Sequence, residues 1–185
     1  MRASSQHSSR CTTARLLLLG LLLTITAGCG FKPVYLPTAS GKPGPAQREL
    51  AAVAVDLLPE RPGQLLRQAL QERLASDSGS IPALYDLHVA FGISGEGIAV
   101  ISDSAATRIR LIGSATWSLT PRNPAGPAIT SGFARAGDAF NIIGVQYFAS
   151  DLENEAAQRR LAETIADQIT LQLAVYFRKQ AGLSG

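Results

Sequence analysis

The sequence contains few of the residues that carry catalysis, metal binding or disulfide cross-links. Its 185 residues include two cysteines, two histidines and one tryptophan. Both cysteines, Cys11 and Cys29, lie near the N-terminus, so residues 30–185 have no cysteine and a single histidine, His88. This excludes a disulfide framework, or a zinc site with several Cys and His ligands, from that part of the chain. We expect no metal, no cofactor and no enzymatic activity.

Negative charge is missing from the N-terminus. The first 28 residues contain Arg2, Arg10 and Arg15 but no Asp or Glu. The whole chain has 17 basic and 14 acidic residues, a net charge of +3 and a pI near 9.1. Removing these three arginines leaves 14 basic against 14 acidic residues. The remaining chain therefore has no excess of positive charge to bind nucleic acid, and we predict no such partner.

A short apolar run follows these arginines. It extends from Leu16 to Ile25 and ends at the small residues Thr26, Ala27 and Gly28. As a helix it would be about 15 Å long, half of the ~30 Å that a membrane-spanning helix must cross. A charged segment, a short apolar core and small residues form the layout of a secretory signal. We predict that residues 1–28 are an export signal.

Cys29 comes directly after this apolar core, in the run ITAGCG. The run resembles the lipobox of bacterial lipoproteins, in which the cysteine is acylated, with palmitate for example, and becomes the first residue after cleavage. The alternative is an ordinary signal peptide with a cysteine at its cleavage site by chance. Gly30, rather than Asp, follows the cysteine, which favours sorting to the outer membrane. We therefore predict lipidation at Cys29 and a lipid anchor in the cell outer membrane.

Residues 29–48 are predicted to be the lipidated N-terminus and a tether. Four prolines between residues 30 and 48, together with Gly41 and Gly44, disfavour a helix and favour an extended chain. The apolar residues Phe31, Val34, Tyr35 and Leu36 suggest that the first part of this tether docks on a surface. A single α+β domain is expected over residues 49–180.

The hydrophobic pattern of that domain predicts four strands and two helices. Residues 49–58 are apolar on both faces, which is typical of a central strand, and apolar residues at helical spacing follow over 63–75. Strict alternation predicts strands over 85–93, 107–120 and 128–136. The glycines of 92–97 indicate a bulge or turn before 98–101.

The last predicted element is a long helix. Ser150 and Glu153 have the spacing of a capping box, so the helix should begin there and run to about Phe177. The resulting order is β-α-β-β-β-α. It predicts a two-layer α+β sandwich, in which two helices cover one face of a four-stranded, mainly antiparallel sheet.

Three groups of residues are candidates for function. Arg108 and Arg110 are two positions apart in a strand, so both project from one sheet face and could bind phosphate or carboxylate groups. The alternative is a solvated charged face. The apolar end of the last helix, with Leu171, Val175 and Phe177, is either packed in the core or a surface for a protein partner. His88 is expected to be an ordinary residue of the sheet surface.

Several of these segments together resemble the LptE family of lipopolysaccharide-assembly lipoproteins. They are the start ITAGCGFKPVY, the R-x-R strand with Trp117, and the C-terminal stretch from Val145 to Phe177. The resemblance implies a non-enzymatic protein that plugs the LptD β-barrel of the outer membrane, helps that barrel assemble, and contacts lipopolysaccharide on its way to the cell surface. Its partners would be an LptD-like barrel, lipopolysaccharide, and the membrane through the N-terminal lipid.

The residues alone also allow two other functions. An auxiliary lipoprotein of an ABC-type lipid transporter could share an α+β domain of this size. A lipoprotein hydrolase would need a pocket in which a serine, His88 and a carboxylate converge.

Overall fold

The computed structural model describes residues 44–74, 81–100, 106–142 and 147–182 of the chain. The predicted export signal, the lipidation site Cys29 and tether residues 30–43 lie outside the described residues.

Seven elements make up the described chain. The helices are α1 (Pro45–Ala51), α2 (Glu60–Leu74) and α3 (Tyr147–Gln180). The strands are β1 (Val53–Val55), β2 (Tyr85–Val100), β3 (Ala106–Pro121) and β4 (Thr130–Asn141). The α+β class is confirmed, and the predicted order β-α-β-β-β-α holds after α1, a helix that the sequence pattern did not predict.

The four strands form one sheet in the order β1-β2-β3-β4. Strands β2, β3 and β4 pair in antiparallel fashion, whereas β1 runs parallel to β2. The sheet is therefore mixed, rather than mainly antiparallel as predicted. The parallel pair arises because α2 carries the chain back before β2 begins, as a crossover connection must.

The first strand differs most from its prediction. Residues 49–58 were expected to form a central strand, but β1 has three residues and lies at the edge of the sheet. Helix α1 precedes it, with Pro45 in its first turn, where a missing N–H costs nothing. The apolar residues of this region pack against helices: Ala46 and Leu50 are both buried. The predicted extended tether is thus already helical from residue 45.

Strand β2 does not end at its glycines. It continues from Tyr85 to Val100 opposite β3, and the pairing becomes irregular only between Gly97 and Val100. Of the two predicted possibilities, a bulge is observed, and it begins at Gly97, the last residue of the glycine-rich run.

Helix α3 is the longest element, with 34 residues. At 1.5 Å per residue it extends about 51 Å. It begins at Tyr147, three residues before the predicted cap Ser150, and continues to Gln180. Ile165, Ile169 and Leu173 lie on one stripe of the helix and are fully buried.

The core lies between the helices and one face of the sheet. Strand residues that point toward the helices include Leu87, Trp117 and Leu119, all buried. The opposite face of the sheet, called here the open face, is covered by none of the described elements. Its exposed side chains include His88, Arg110, Thr116, Phe133 and Arg135.

Helices α2 and α3 run in the same direction across this core. Arg61 and Glu155 form an ion pair, and so do Arg73 and Asp167, with 2.5 Å between Arg73 Nε and Asp167 Oδ1. Both pairs join residues 94 positions apart in sequence. An equal separation at two points along the helices requires them to be parallel.

Candidate functional site

The two candidate arginines lie side by side on the open face, close to the turn between β2 and β3. Arg110 Nη1 is 3.0 Å from Glu96 Oε1 on β2, and Arg108 Nη1 is 3.3 Å from Asn141 Oδ1 on β4. Both side chains are exposed. A guanidinium group has five N–H donors, so each arginine can add a bond to an anion while it keeps the bond to its neighbour.

The apolar end of α3 divides into buried and exposed residues. Phe177 is 3 % exposed and its ring centre lies 5.3 Å from that of Tyr85, so it belongs to the core. Leu171 and Val175 are 49 % and 38 % exposed. Of the three residues in the candidate partner surface, Leu171 and Val175 are placed where a partner could contact them.

His88 links three strands on the open face. Its Nδ1 is 2.5 Å from Asp56 Oδ2, directly after β1, and its Nε2 is 3.0 Å from Thr120 Oγ1 on β3. A carboxylate, an imidazole and a hydroxyl in this order are also found in serine hydrolases. Here the hydroxyl belongs to a threonine, and Asp56, His88 and Thr120 line neither the cleft beside α2 nor the cleft beside Tyr85. The arrangement ties the short strand β1 to its neighbours.

An ion pair stands next to this histidine. Arg122 Nε lies 3.2 Å from both carboxylate oxygens of Asp86, and Arg122 Nη2 also donates to Oδ1. These hydrogen bonds hold the pKa of Asp86 below its usual range, against the opposing effect of burial. The pair anchors the turn after β3 to the start of β2.

A cleft of about 300 Å³ lies where the chain enters the domain. Pro45, Glu49, Tyr85 and Tyr176 are among the residues that line it. The Tyr85 hydroxyl donates to Glu49 Oε2 at 3.0 Å. Burial and this carboxylate together raise the pKa of Tyr85, so the phenol stays protonated in neutral solution.

The outer edge of β4 is covered by side chains of α3 and of β4 itself. Gln168 makes two hydrogen bonds of 3.1 Å with the backbone N–H and C=O of Arg135, as a neighbouring strand would. Gln172, one turn further along the helix, donates to the carbonyl of Phe133 at 3.0 Å. Nearer the strand end, the N–H of Ala139 donates to the carboxylate of Asp138. These bonds remove part of the backbone template that another strand would need here.

The opposite edge of the sheet differs. Strand β1 pairs only with Tyr85–Leu87 of β2, and one further bond joins the N–H of Asp56 to the carbonyl of Leu87 at 3.1 Å. Beyond Leu87, no strand in the described part of the chain pairs with this side of β2. The sheet thus has one edge that side chains protect in part and one open edge.

Sequence reasoning placed both arginines correctly on one face but did not find the role of Gln168 and Gln172. Their spacing of four residues puts both amides on the same side of α3. This spacing was the feature of the sequence that could have indicated a shared role. Which strand they meet depends on contacts 33 and 39 residues away in sequence.

Two general features of the described residues bear on function. None of the described helices combines the length and apolar character that a membrane-spanning helix needs. Among the same residues, no three His, Cys, Asp or Glu side chains are grouped so that they could hold a metal ion.

The chain is similar to known proteins in sequence pattern and in fold. The model of the LptE family, described as lipopolysaccharide-assembly, matches residues 50–173. No curated protein matches the sequence.

Among solved structures, a candidate lipoprotein from Caulobacter crescentus CB15 superposes with a TM-score of 0.59 at 24% identity, over 71% of this chain and 95% of its own. A minor lipoprotein from Acinetobacter baumannii has a TM-score of 0.52 at 16% identity, over 67% of this chain and 90% of its own. Rare lipoprotein B from Shewanella oneidensis has a TM-score of 0.51 at 13% identity, over 71% and 96%. At these identities the likeness concerns the fold.

Proposed function

Because the chain belongs to the LptE family of lipopolysaccharide-assembly proteins, we propose that it is an outer-membrane lipoprotein that plugs and helps assemble an LptD β-barrel. In this role it assists the delivery of lipopolysaccharide to the outer leaflet. The family match carries the proposal, since residues 50–173 include all four strands and most of α3. The family is a non-enzymatic lipoprotein family, and its role is in lipopolysaccharide assembly.

Attachment to the membrane is proposed to occur through Cys29. The solved structures with this fold include lipoproteins, which are membrane-associated proteins. Stable anchoring needs more than one acyl chain, because a single chain binds a membrane only marginally. A triacylated Cys29 meets that requirement.

The open face supports a position inside a larger protein. An antiparallel sheet can face water on one side, and then its outer residues are mainly polar. On this face, however, Phe133 is 56 % exposed, and Ala90 and Gly92 are small and exposed. This patch of small and apolar side chains, within an otherwise polar face, can pack closely against a wall, such as the inside of a barrel.

Contact with lipopolysaccharide is proposed for Arg108 and Arg110. Phosphate groups are preferred ligands of guanidinium, because two N–H donors can bind two oxygens at once. The two arginines are exposed on one face, and each is bonded to a neighbour on an adjacent strand. They would bind phosphates of the lipopolysaccharide as it passes.

The proposal is tested by purifying the lipidated protein from outer membranes with a C-terminal tag. The expected result is a stable one-to-one complex with a large β-barrel protein. Recovery of inner-membrane transporter subunits in place of a barrel would contradict it and would favour the auxiliary lipoprotein of an ABC-type lipid transporter. The variant Cys29→Ala is a matched control, because its domain is unchanged and it should be lost from the outer-membrane fraction.

A further inference from the structure

We propose that the open edge of β2, from Val89 to Gly97, is a pairing site for an extended segment of the barrel partner. The segment would add one strand to the sheet beside β2, next to the end of β1. This inference rests on the proposed function for the identity of the partner. The structural argument concerns the edge itself and is independent of lipopolysaccharide.

The edge is long and its backbone groups point outward. Tyr85 N donates to the carbonyl of Ala52, and Leu87 O accepts from Asp56, so the odd-numbered residues of β2 face the β1 side. By the same alternation, the N–H and C=O groups of Val89, Phe91 and Ile93 face that side beyond the end of β1. Nine residues from Val89 to Gly97 offer about 30 Å of edge at ~3.3 Å per residue.

The other edge of the same sheet shows how this fold protects a strand that stays in water. On β4, Gln168 bonds both outward backbone groups of Arg135, and Gln172 bonds the carbonyl of Phe133. No described side chain does this for β2 beyond Leu87. Natural sheets also block edges with charges or prolines, but residues 89–95 read VAFGISG and contain neither. The one charge of the segment, Glu96, is near its end and is paired with Arg110 on β3. An edge left without these devices is expected to be covered in the assembled protein.

The side chains along the edge define the partner segment. Toward the helices, Val89, Phe91 and Ile93 are half-buried, so an added strand would meet apolar neighbours on that side. On the open face, Ala90 and Gly92 are small and exposed, and they leave room for larger side chains. The segment should therefore alternate, with apolar residues toward the helix layer, and it needs no charge in the middle.

Leu57 extends this apolar edge. It follows the last hydrogen bond between β1 and β2 and is 79 % exposed, while Leu58, the next residue, is buried. The chain leaves the sheet at this point and turns into α2. The end of an added strand would lie in line with β1 and cover Leu57.

Hydrogen exchange of the β2 amides tests the pairing directly. The full-length lipidated protein is measured alone in detergent and in its purified complex with the barrel. Amides of His88, Ala90 and Ser94 face β3 and are internal controls, since they should exchange slowly in both states. Amides of Val89, Phe91 and Ile93 should exchange quickly in the protein alone and at least tenfold more slowly in the complex.

The same experiment separates this inference from the proposed function. If no barrel complex is obtained, the proposed function fails before exchange is measured. If the complex forms and the odd-numbered amides exchange equally fast in both states, the pairing is wrong and the plug role stands. Slow exchange of the odd-numbered amides in the monomeric protein alone would overturn the inference, and residues 30–43 of the same chain would then be the segment paired with this edge. Slow exchange of these amides in a dimer would instead assign the edge to a second copy of the chain.

A pair of variants gives a second measurement. Ile93→Pro removes an outward N–H from the β2 edge, and Ser131→Pro removes one from the outward side of β4. Both should leave the β3 ladder intact, which circular dichroism checks. If the inference is right, the amount of barrel protein that co-purifies with Ile93→Pro should be at least fivefold lower than the amount that co-purifies with Ser131→Pro. Equal amounts would overturn the inference.

Discussion

The indole N–H of Trp117 donates a hydrogen bond of 3.1 Å to the side-chain oxygen of Gln172, which joins strand β3 to helix α3. The same amide donates to the backbone of β4 at Phe133. One glutamine therefore satisfies a buried indole and protects a sheet edge. Several properties of this fold depend on such links between the helix layer and the sheet.

Replacement of Gln172 by leucine should destabilise the protein. It leaves the Trp117 N–H without its acceptor and frees the carbonyl of Phe133. A donor left unsatisfied in this way costs about 1–3 kcal/mol. Urea denaturation should show this loss. Gln68→Leu, at an exposed helix position where the side chain bonds to Glu72, should change stability by less than about 0.5 kcal/mol. Equal midpoints for the two variants would contradict the role given to Gln172.

Gly132 should tolerate no side chain. A Cβ at this position would lie 2.6 Å from a ring carbon of Trp117 and 2.5 Å from Oε1 of Gln172. Forcing a methyl group into such a contact costs about 1–3 kcal/mol. Gly137→Ala is the matched control on the same strand, because the nearest atom there would be 3.8 Å away. Thermal unfolding of both variants tests this, and Gly132→Ala should unfold at a lower temperature than Gly137→Ala. Equal unfolding temperatures would contradict the close approach of Trp117 to Gly132.

These contacts show which parts of the fold could be predicted from the sequence. Strands β2 and β3 and helices α2 and α3 have long periodic patterns. The predicted bounds of β3, α2 and α3 lie within three residues of the observed ones, whereas β2 begins at the predicted residue but ends seven residues later than predicted. Helix α1 was missed because Pro45 and the glycines before it favour an extended chain, while burial of Ala46 and Leu50 stabilises the helix. Strand β1 was predicted to be central because the apolar residues around it indicate burial. A sequence pattern does not identify the elements that bury these residues.

The candidate site, too, could be predicted from the sequence only in part. A period of two put Arg108 and Arg110 on one face, as observed. Their neighbours Glu96 and Asn141 depend on the register between strands, which no local pattern contains. For Phe177 the sequence left both core and surface open, and the contact with Tyr85 decides for the core.

The ion pair of Asp86 and Arg122 should make stability depend on acid pH. The folded-state pKa of Asp86 is lowered, chiefly by hydrogen bonds from Arg122. Its contribution is therefore present above the unfolded pKa of about 3.9 and is lost as the pH falls through the lower folded value. Urea midpoints between pH 6 and pH 2 should fall more steeply for the wild type than for Asp86→Asn. Arg122→Gln removes the cause of the shift and should behave as Asp86→Asn does.

Charge reversal at both candidate arginines should weaken lipopolysaccharide binding. Arg108→Glu with Arg110→Glu places negative charge where phosphates are proposed to bind, and we expect at least a tenfold rise in Kd. The exposed ion pair of Arg110 with Glu96 contributes little to folding, about 0–1 kcal/mol, so the variant should remain folded. Arg135→Glu lies on the same face and is the matched control. An unchanged Kd for the double variant would remove the arginines from the proposed site.

The exposed and buried residues at the end of α3 should respond differently to substitution. Phe177→Ala removes a core side chain and should cost about 3–5 kcal/mol of stability. Leu171→Gln exchanges an exposed leucine for a residue of similar helix propensity, so its stability should change by less than about 0.5 kcal/mol.

Recovery of the barrel complex shows whether the exposed residues Leu171 and Val175 contact the partner or face water. If Leu171 and Val175 contact the partner, Leu171→Gln with Val175→Gln should reduce the recovered barrel several-fold at unchanged urea midpoint. Glu163→Gln, at an exposed position nearer the start of the same helix, is the control and should leave recovery unchanged. Full recovery with the double glutamine variant would mean that this end of α3 faces water in the complex, and the partner surface would then have to lie elsewhere, on the open face or along the β2 edge.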